Sequence, residues 1–442
     1  MGEVHCLCFN ATSDLAVPNI KHVARAIALF SPNAASGYFN ILSGLRKELV
    51  RRGIVVHVGL GYLNSPELAQ FCDAFHPDVV IEIDRTRNLA EGLPNTARHV
   101  AWLQDWRSMT PESQGRSNAS FGGSDLYLFC TRPEAIGIDR SSLADWGYLL
   151  LATDPEVFRP GEFEKQSDFS LMGYIPPKEH LAIAARPLRV DVNNAEPGAT
   201  RFEVGTVGEL VQALRCAGLT WNTYDVSLAH RFMERYIAWR LTGSGTHSIH
   251  MFSSFGRSFC INADPPMHFV IPDDVLYDIE NQLMRALGRK AVADAILSVS
   301  KSVRLYGLAG WDTYPEFASY FRGPLDTEND VREMFLSTRV NLHNAMSQVH
   351  GRVLDCMATG SAILVNRIHL NSRDSPDSLR ATMEPGKHYF EYDEDNLAEV
   401  CSEVLADDER RRKVARAGRE IVLADHTWSR RVDQLLGYLN HI

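Results

Sequence analysis

Val340 to Val365, VNLHNAMSQVHGRVLDCMATGSAILV, constrains the fold of this chain more than any other stretch. It reads as strand, loop, helix, strand. Val340 to Leu342 close a short apolar run, and Asn344 to Gly351 is small and polar. Val353, Leu354, Met357 and Ala358 form a helical apolar stripe. Gly360 stands where a helix C-terminus favours a residue tolerant of positive φ. Ala362 to Val365 then reads as a buried strand. A unit of this length is a crossover between parallel strands. In open α/β sheets, ligands sit beyond the carboxyl ends of the strands.

Arg352 falls in the first turn of that helix, where the macrodipole disfavours a cation. A bound anion reverses the penalty, because free N–H groups at a helix start favour phosphate. Asp355 lies three residues on and shares a face with Arg352. The alternative is a solvated i,i+3 ion pair, worth a few tenths of a kcal/mol. The preceding loop favours the chemical reading. Asn341, His343, Asn344, Ser347, Gln348 and His350 crowd polar groups there, whereas an ordinary βα loop needs one cap.

The 442 residues suffice for two or three domains with substantial cores. Net charge is −10 with no long basic run, which argues against a nucleic-acid surface. No apolar run reaches membrane-spanning length, and Met1 to Asp14 lacks the pattern of a secretory signal. The expected location is cytoplasmic, without an integral membrane segment. None of the eight cysteines forms a CxxC pair, so buried reduced thiols are expected. The sixteen histidines include no HExxH, and His343 and His350 lack a third ligand at a recognisable interval. No metal site and no bound cofactor are expected.

Earlier in the chain, Val4 to Phe9 reads as a strand and Phe39 to Arg52 as a helix ended by Gly53. Strands follow at Ile54–Val58, Asp78–Ile83, Val100–Leu103, Asp125–Cys130 and Tyr148–Ala152. Short buried strands at such intervals predict a parallel sheet covered on both faces. No GxGxxG is present, so no dinucleotide fingerprint is assigned. Asp105 ends the Val100–Leu103 run between Trp102 and Trp106. It reads either as a loop cap or as a base whose pKa is raised by partial desolvation. Asp154 to Gly161 is turn-rich and marks the best boundary. Phe169–Gly173 and Val303–Gly307 resume the strand pattern. Residues 180–300 read as a largely helical insertion with loops. Arg410 to Lys413 reads as a solvated helix face. Amphipathic helices close the chain, the last carrying Trp428, Val432, Leu435, Leu436 and Leu439.

Several ordered pieces carry a family likeness: WLQDW (102–106), LATDPEVFRP (151–160), LMGY (171–174) and RLYGLAGW (304–311). They are followed by VNLHN…HGRVLDCMATGSAILV, PGKHYFEYDEDNLAEV and HTWSRRVDQLL. In this order they resemble the GT-B-fold group-1 glycosyltransferases, and within them the spore-maturation CgeB-like branch. The resemblance implies an α/β fold of two facing Rossmann-like domains. Residues 1–160 would present the acceptor, and 161–425 would hold a nucleotide-activated sugar, with the insertion at about 180–300. The helix in 426–442 would cross back to the first domain.

The resemblance further implies transfer from a nucleoside diphosphate sugar to a hydroxyl without a metal, and leans towards retention. The acceptor is an unspecified glycan, small molecule or protein. Arg352 and the Gly351 N–H would meet the diphosphate, and Asp355 the ribose. His350, Gln348 and Ser347 would line the same loop, and Asn341 and His343 would join them in binding the donor. Tyr174 and Gly307 would border the nucleoside, and Asp105 would reach the reacting sugar. Lys387 and His388 lie in a further loop that could approach the donor. Two other functions fit the same fold: a nucleotide-sugar epimerase, and a non-catalytic scaffold that binds a glycan or protein.

Overall fold

The computed structural model describes residues 24–104, 121–133, 138–193, 199–220, 226–243, 249–251, 258–261, 267–345, 347–367 and 376–442. The chain divides into two compact units, Met1–Asp154 with Asp425–Ile442, and Pro155–Ala424.

The first unit runs β1 (Ala26–Ser31), α1 (Ser36–Arg51), β2 (Val55–Leu60), α2 (Ser65–Phe75) and β3 (Val79–Ile83). It continues with β4 (Arg98–Leu103), β5 (Leu126–Phe129) and β6 (Trp146–Tyr148). The sheet is wholly parallel, in the order β2-β1-β3-β4-β5-β6. Its inner strands are buried and mainly apolar, Glu82 and His99 apart, because helices and loops cover both faces. The expected strand at Val4–Phe9 lies outside the described residues. AIALFS, which forms β1, is a strand the sequence reading passes over. A capping box starts α2, with Asn64 Oδ1 accepting from the Glu67 N–H and Glu67 Oε2 from the Asn64 N–H, both at 3.0 Å.

One buried polar network braces this sheet. His99 bonds Glu82 Oε2 through Nε2 at 3.0 Å and Ser124 Oγ through Nδ1 at 2.9 Å. Arg85 donates to Glu82 Oε1 at 3.0 Å, which pairs the buried carboxylate. The set has the residue types of a hydrolytic triad, but Glu82 and His99 are fully buried. It is structural.

The last helix, α12 (Trp428–Leu439), belongs to this unit and packs on α1. Gly44 makes that approach possible: a Cβ there would lie 2.3 Å from the Trp428 indole nitrogen. Thr153 and Thr427 form a parallel bridge beside it.

The second unit opens with β7 (Ser167–Met172), β8 (Pro187–Asn193), β9 (Ala199–Thr206), α3 (Val207–Cys216) and α4 (Val226–Thr242). Then come β10 (Ile249–Met251), β11 (Ser258–Ile261), β12 (Met267–Val270), α5 (Asp273–Tyr277) and α6 (Arg285–Val299). A π-helical turn, Asp278–Met284, joins α5 to α6. The unit ends with β13 (Val303–Tyr306), α7 (Pro315–Ala318), α8 (Glu328–Ser337), β14 (Thr338–His343), α9 (Gly351–Ala358), β15 (Ile363–Asn366), β16 (Phe390–Tyr392), α10 (Leu397–Ala406) and α11 (Asp408–Asp425).

Two sheets result. The parallel one is ordered β13-β7-β14-β15-β16, and the antiparallel one β10-β11-β12-β8-β9. The stretch 180–300 is largely helical, but it is not helices and loops alone: five strands share it with α3 to α6. The sheet and its helices enclose a separate core around Val190, Leu210, Met233, Ile237 and Phe269. The helical expectation followed the legible apolar periods of α4 and of 275–287. The strands are short and broken by polar residues, so their alternation carries little signal.

Candidate functional site

Strands β13, β7 and β14 are parallel neighbours, with Tyr306 opposite Met172 and Leu342 opposite Leu171. Gly307, Gly173–Tyr174 and His343–Asn344 consequently leave the same end of the sheet. The first two loops pack backbone on backbone. A Cβ on Gly307 would sit 2.6 Å from the Gly173 carbonyl oxygen. Buried Trp311 donates from Nε1 to that oxygen at 2.8 Å, and the Tyr314 hydroxyl donates to Pro176 O at 3.0 Å. Through these bonds the LMGY and RLYGLAGW motifs together hold the carbonyl-rich turn after β7.

The β14 loop leads into α9. His350 is its N-cap, and His350 Nδ1 accepts from the Arg352 N–H at 3.2 Å. The ring is therefore neutral, with its proton on Nε2. The Gly351 N–H has no partner among the described residues. His343 Nε2 faces the Ser347 carbonyl at 3.2 Å, which places its proton there too. The two rings lie 5.0 Å apart. Burial, and then the Arg352 charge, push the His343 pKa down to about 3. Burial, and then His343, hold His350 well below its ordinary value.

The dominant feature is positive charge in excess of counter-charge: three arginines against Asp355. Arg352 donates from Nη1 to Met172 O at 3.3 Å. Arg289, on α6, is 7% exposed and donates from Nη1 to Tyr174 O at 3.2 Å. Its Nε is buried without a partner among the described residues. Neither arginine forms an ion pair among those residues. Arg285, one turn earlier on α6, donates to Asn281 Oδ1 at 3.2 Å and adds its charge to theirs. Burial first, then Arg352 and Arg285, pull the Arg289 pKa to about 9. Burial and Arg285 lower that of Arg352, with Asp355 pulling the other way. Unpaired buried charge is expensive. An anion would offset it.

Of the residues singled out in the sequence, Tyr174, Gly307, His343, Ser347, His350, Gly351, Arg352 and Asp355 lie on these loops or on α9. Two others are braces. Asn341 accepts from Ser170 Oγ at 2.8 Å and donates to Phe335 O and Ala362 O at 3.2 Å. Gln348 is fully buried. Its Nε2 donates to Asn366 O at 2.8 Å, and its Oε1 accepts from Ser378 Oγ and the Leu379 N–H at 3.0 Å. Their amide groups are spent on the protein itself. Lys387 pairs with Glu384 at 2.9 Å, and His388 Nδ1 accepts from the Glu384 N–H at 2.9 Å, so that loop closes on itself. Asp105 and Trp106 lie outside the described residues. Trp102 is buried, donating to Leu149 O at 2.8 Å.

Sequence reading missed Arg285 and Arg289. The signal was present: Arg289 stands in the apolar stripe Ala286, Val292, Ala293, Ile296 of α6. A cation within a buried stripe is anomalous. Among the described residues no group of His, Cys, Asp and Glu is placed to hold a metal. No described helix is long and apolar enough to cross a membrane.

The family described as "Glycosyl transferase-like" matches residues 281–437, which include Arg285, Arg289 and the loops after β13 and β14 but not the turn after β7. The fold is similar to that of HepE from Anabaena, solved with UDP and glucose. Identity is 11%, the match covers 95% of this chain and 100% of that one, and the TM-score is 0.50. The catalytic domain of starch synthase IV from Arabidopsis thaliana, bound to ADP and acarbose, matches with 11% identity over 95% and 99% of the two chains, at a TM-score of 0.49. No curated protein matches the chain significantly. The architecture is GT-B, built from Rossmann-like parallel sheets with helices. With a glycosyl transferase-like domain over 281–437, the chain is an enzyme of the glycosyltransferase class.

Proposed function

We propose that this enzyme moves a glycosyl group from a nucleoside diphosphate sugar to a hydroxyl acceptor, with the donor diphosphate at the N-terminus of α9. The carrying observation is the pair of neighbouring cations, buried Arg289 and half-buried Arg352, whose charges outnumber the one carboxylate, Asp355, that acts on Arg352. As the bond from the anomeric carbon to the diphosphate breaks, negative charge grows on the leaving oxygen. Arg352, Arg289, the Gly351 N–H and the His350 Nε2–H are fixed donors for it. The acceptor oxygen forms the new bond to the anomeric carbon and gives up its proton. In this reading Asp105 takes the proton, Asp355 meets the ribose, and Tyr174 and Gly307 border the nucleoside.

Residues 161–425 would hold the donor and 1–160 the acceptor. Two arginines provide the charge that a divalent cation supplies elsewhere, which supports metal-independent transfer. The motif order supports membership of the CgeB-like branch, the group-1 likeness leans towards retention, and the lack of a secretory pattern at Met1 to Asp14 supports a cytoplasmic location. The UDP in the HepE structure makes UDP the first nucleotide to test.

Isothermal titration with UDP, ADP, GDP and TDP tests the site. One should bind, and Arg352→Ala should weaken it by about 30-fold or more, the worth of a hydrogen bond to a charged group. If none binds, or if Arg352→Ala binds equally well, the assignment fails. Donor incubated without acceptor separates transfer from epimerisation, since only an epimerase returns an altered sugar nucleotide.

A further inference from the structure

Helix α4 breaks the rule its neighbours keep. Its inner face buries Ala229, Met233, Ile237 and Ala238 against the antiparallel sheet and α3. Its outer face ought to be polar and of mixed charge. Instead Leu228 is 38% exposed and Trp239 48% exposed, with Phe232 between them, half-buried and packed against the core. Positions 228, 232, 235 and 239 follow one another at helical spacing, so these side chains form a single ridge.

The charged side chains exposed on the helix are all basic: Arg235 on the ridge, with Arg231 and Arg240 flanking it on either side. Arg231 and Arg235 are exposed and form no ion pair among the described residues. Arg240, exposed at the helix end, lies over the Trp239 ring at 5.9 Å and reaches Glu209 only at 3.6 Å. The one acid of the helix, Glu234, is buried beside them; burial raises its pKa, and the Arg235 and Arg231 charges act the other way. The whole chain carries −10, so this basic, aromatic strip runs against the charge of the molecule.

We propose that the outer face of α4 docks on an anionic lipid surface, the arginines meeting headgroup phosphates and Trp239 entering the interfacial layer. The chemistry fits each residue type. Tryptophan favours the headgroup level of a bilayer, where one part of its ring is dry and the other wet. Long arginine stems lie along apolar surface while their heads stay among phosphates. Basic residues near an anionic leaflet each add a comparable increment of attraction, which falls off within a Debye length. Binding of this kind is interfacial and needs no spanning helix. The inference is independent of the donor-site assignment, because α4 contributes no residue to that site.

Co-sedimentation of the full chain with vesicles tests it. Phosphatidylcholine vesicles containing phosphatidylglycerol should carry the protein down at low salt, and release it at high salt. Pure phosphatidylcholine vesicles should not. Arg231→Ala with Arg235→Ala should lower partitioning by about 30-fold. Trp239→Ala should lower it as well, and the wild-type tryptophan emission should shift to the blue on binding. Circular dichroism checks that each variant stays folded. Absence of binding to anionic vesicles, binding that neither substitution changes, or equal binding to neutral vesicles would each overturn the proposal. Loss of a soluble protein complex in the same variants, without vesicle binding, would assign the face to a protein partner and overturn it too.

Discussion

Gly173 has no side chain because the Arg289 guanidinium occupies that place: a Cβ would stand 1.6 Å from Nη1. The obstacle is the far end of a flexible side chain, so Gly173→Ala should fold and move the cation instead. We expect a thermal midpoint close to the parent and a nucleoside diphosphate affinity lower by about tenfold, roughly one charge-assisted hydrogen bond. Equal affinity by calorimetry would show that Arg289 does not serve the ligand. His426 supports a second prediction. It accepts at Nδ1 from Arg431 Nη2 at 2.9 Å, and burial with the Arg431 charge lowers its pKa to about 3. Between its ordinary value and that figure, the unfolded chain binds a proton that the folded chain refuses. Its stabilising contribution is complete above pH ~6.5 and is lost as pH falls towards ~3. His426→Asn should therefore flatten the pH dependence of urea unfolding in that window by about 1.4 kcal/mol per pH unit. An unchanged slope would contradict the protonation state assigned to His426. At this scale the sequence was half legible. Arg352 stood out because a helix start is no place for a cation. Arg289 did not, because its partner in charge lies on a helix with no sequence proximity to it. Asn341 and Gln348 looked like ligands because an amide reads the same whether it faces a ligand or a backbone carbonyl.

Elements were legible where period and capping agreed. The strand–loop–helix–strand reading of 340–365 matches β14, α9 and β15, which pair in parallel from Asn341–Ile363 to His343–Val365. Gly360 does take a positive φ, 76°. The basic run 410–413 was only partly legible. Arg411 turns inward and donates to the carbonyls of Val404 and Leu405 near the end of α10, satisfying groups that helix leaves open. Spacing alone does not distinguish such an arginine from its solvated neighbours. The α1–α12 contact yields a prediction proper to elements. Glycine inside α1 costs about 1 kcal/mol of helix propensity, and the close approach of Trp428 offsets it. Gly44→Ala gains the propensity but displaces the indole, so we expect a net loss of about 1–3 kcal/mol by denaturant unfolding. A stability gain would mean that α12 packs with room to spare.

For the molecule as a whole, the division of labour follows charge. A chain of net charge −10 concentrates Arg285, Arg289 and Arg352 at one end of one parallel sheet, together with two histidines held neutral. Such a cluster is costly by itself and is relieved by an anion. Saturating nucleoside diphosphate should raise the unfolding free energy by about 2.7 kcal/mol at a hundredfold excess over Kd, and Arg352→Ala should abolish most of that gain. The central claim has a more direct measurement: a crystal structure with a nucleoside diphosphate soaked in. The account predicts phosphate oxygens within hydrogen-bonding distance of the Arg352 and Arg289 guanidinium groups and of the Gly351 N–H. Diphosphate density elsewhere, with those three groups untouched, would contradict it.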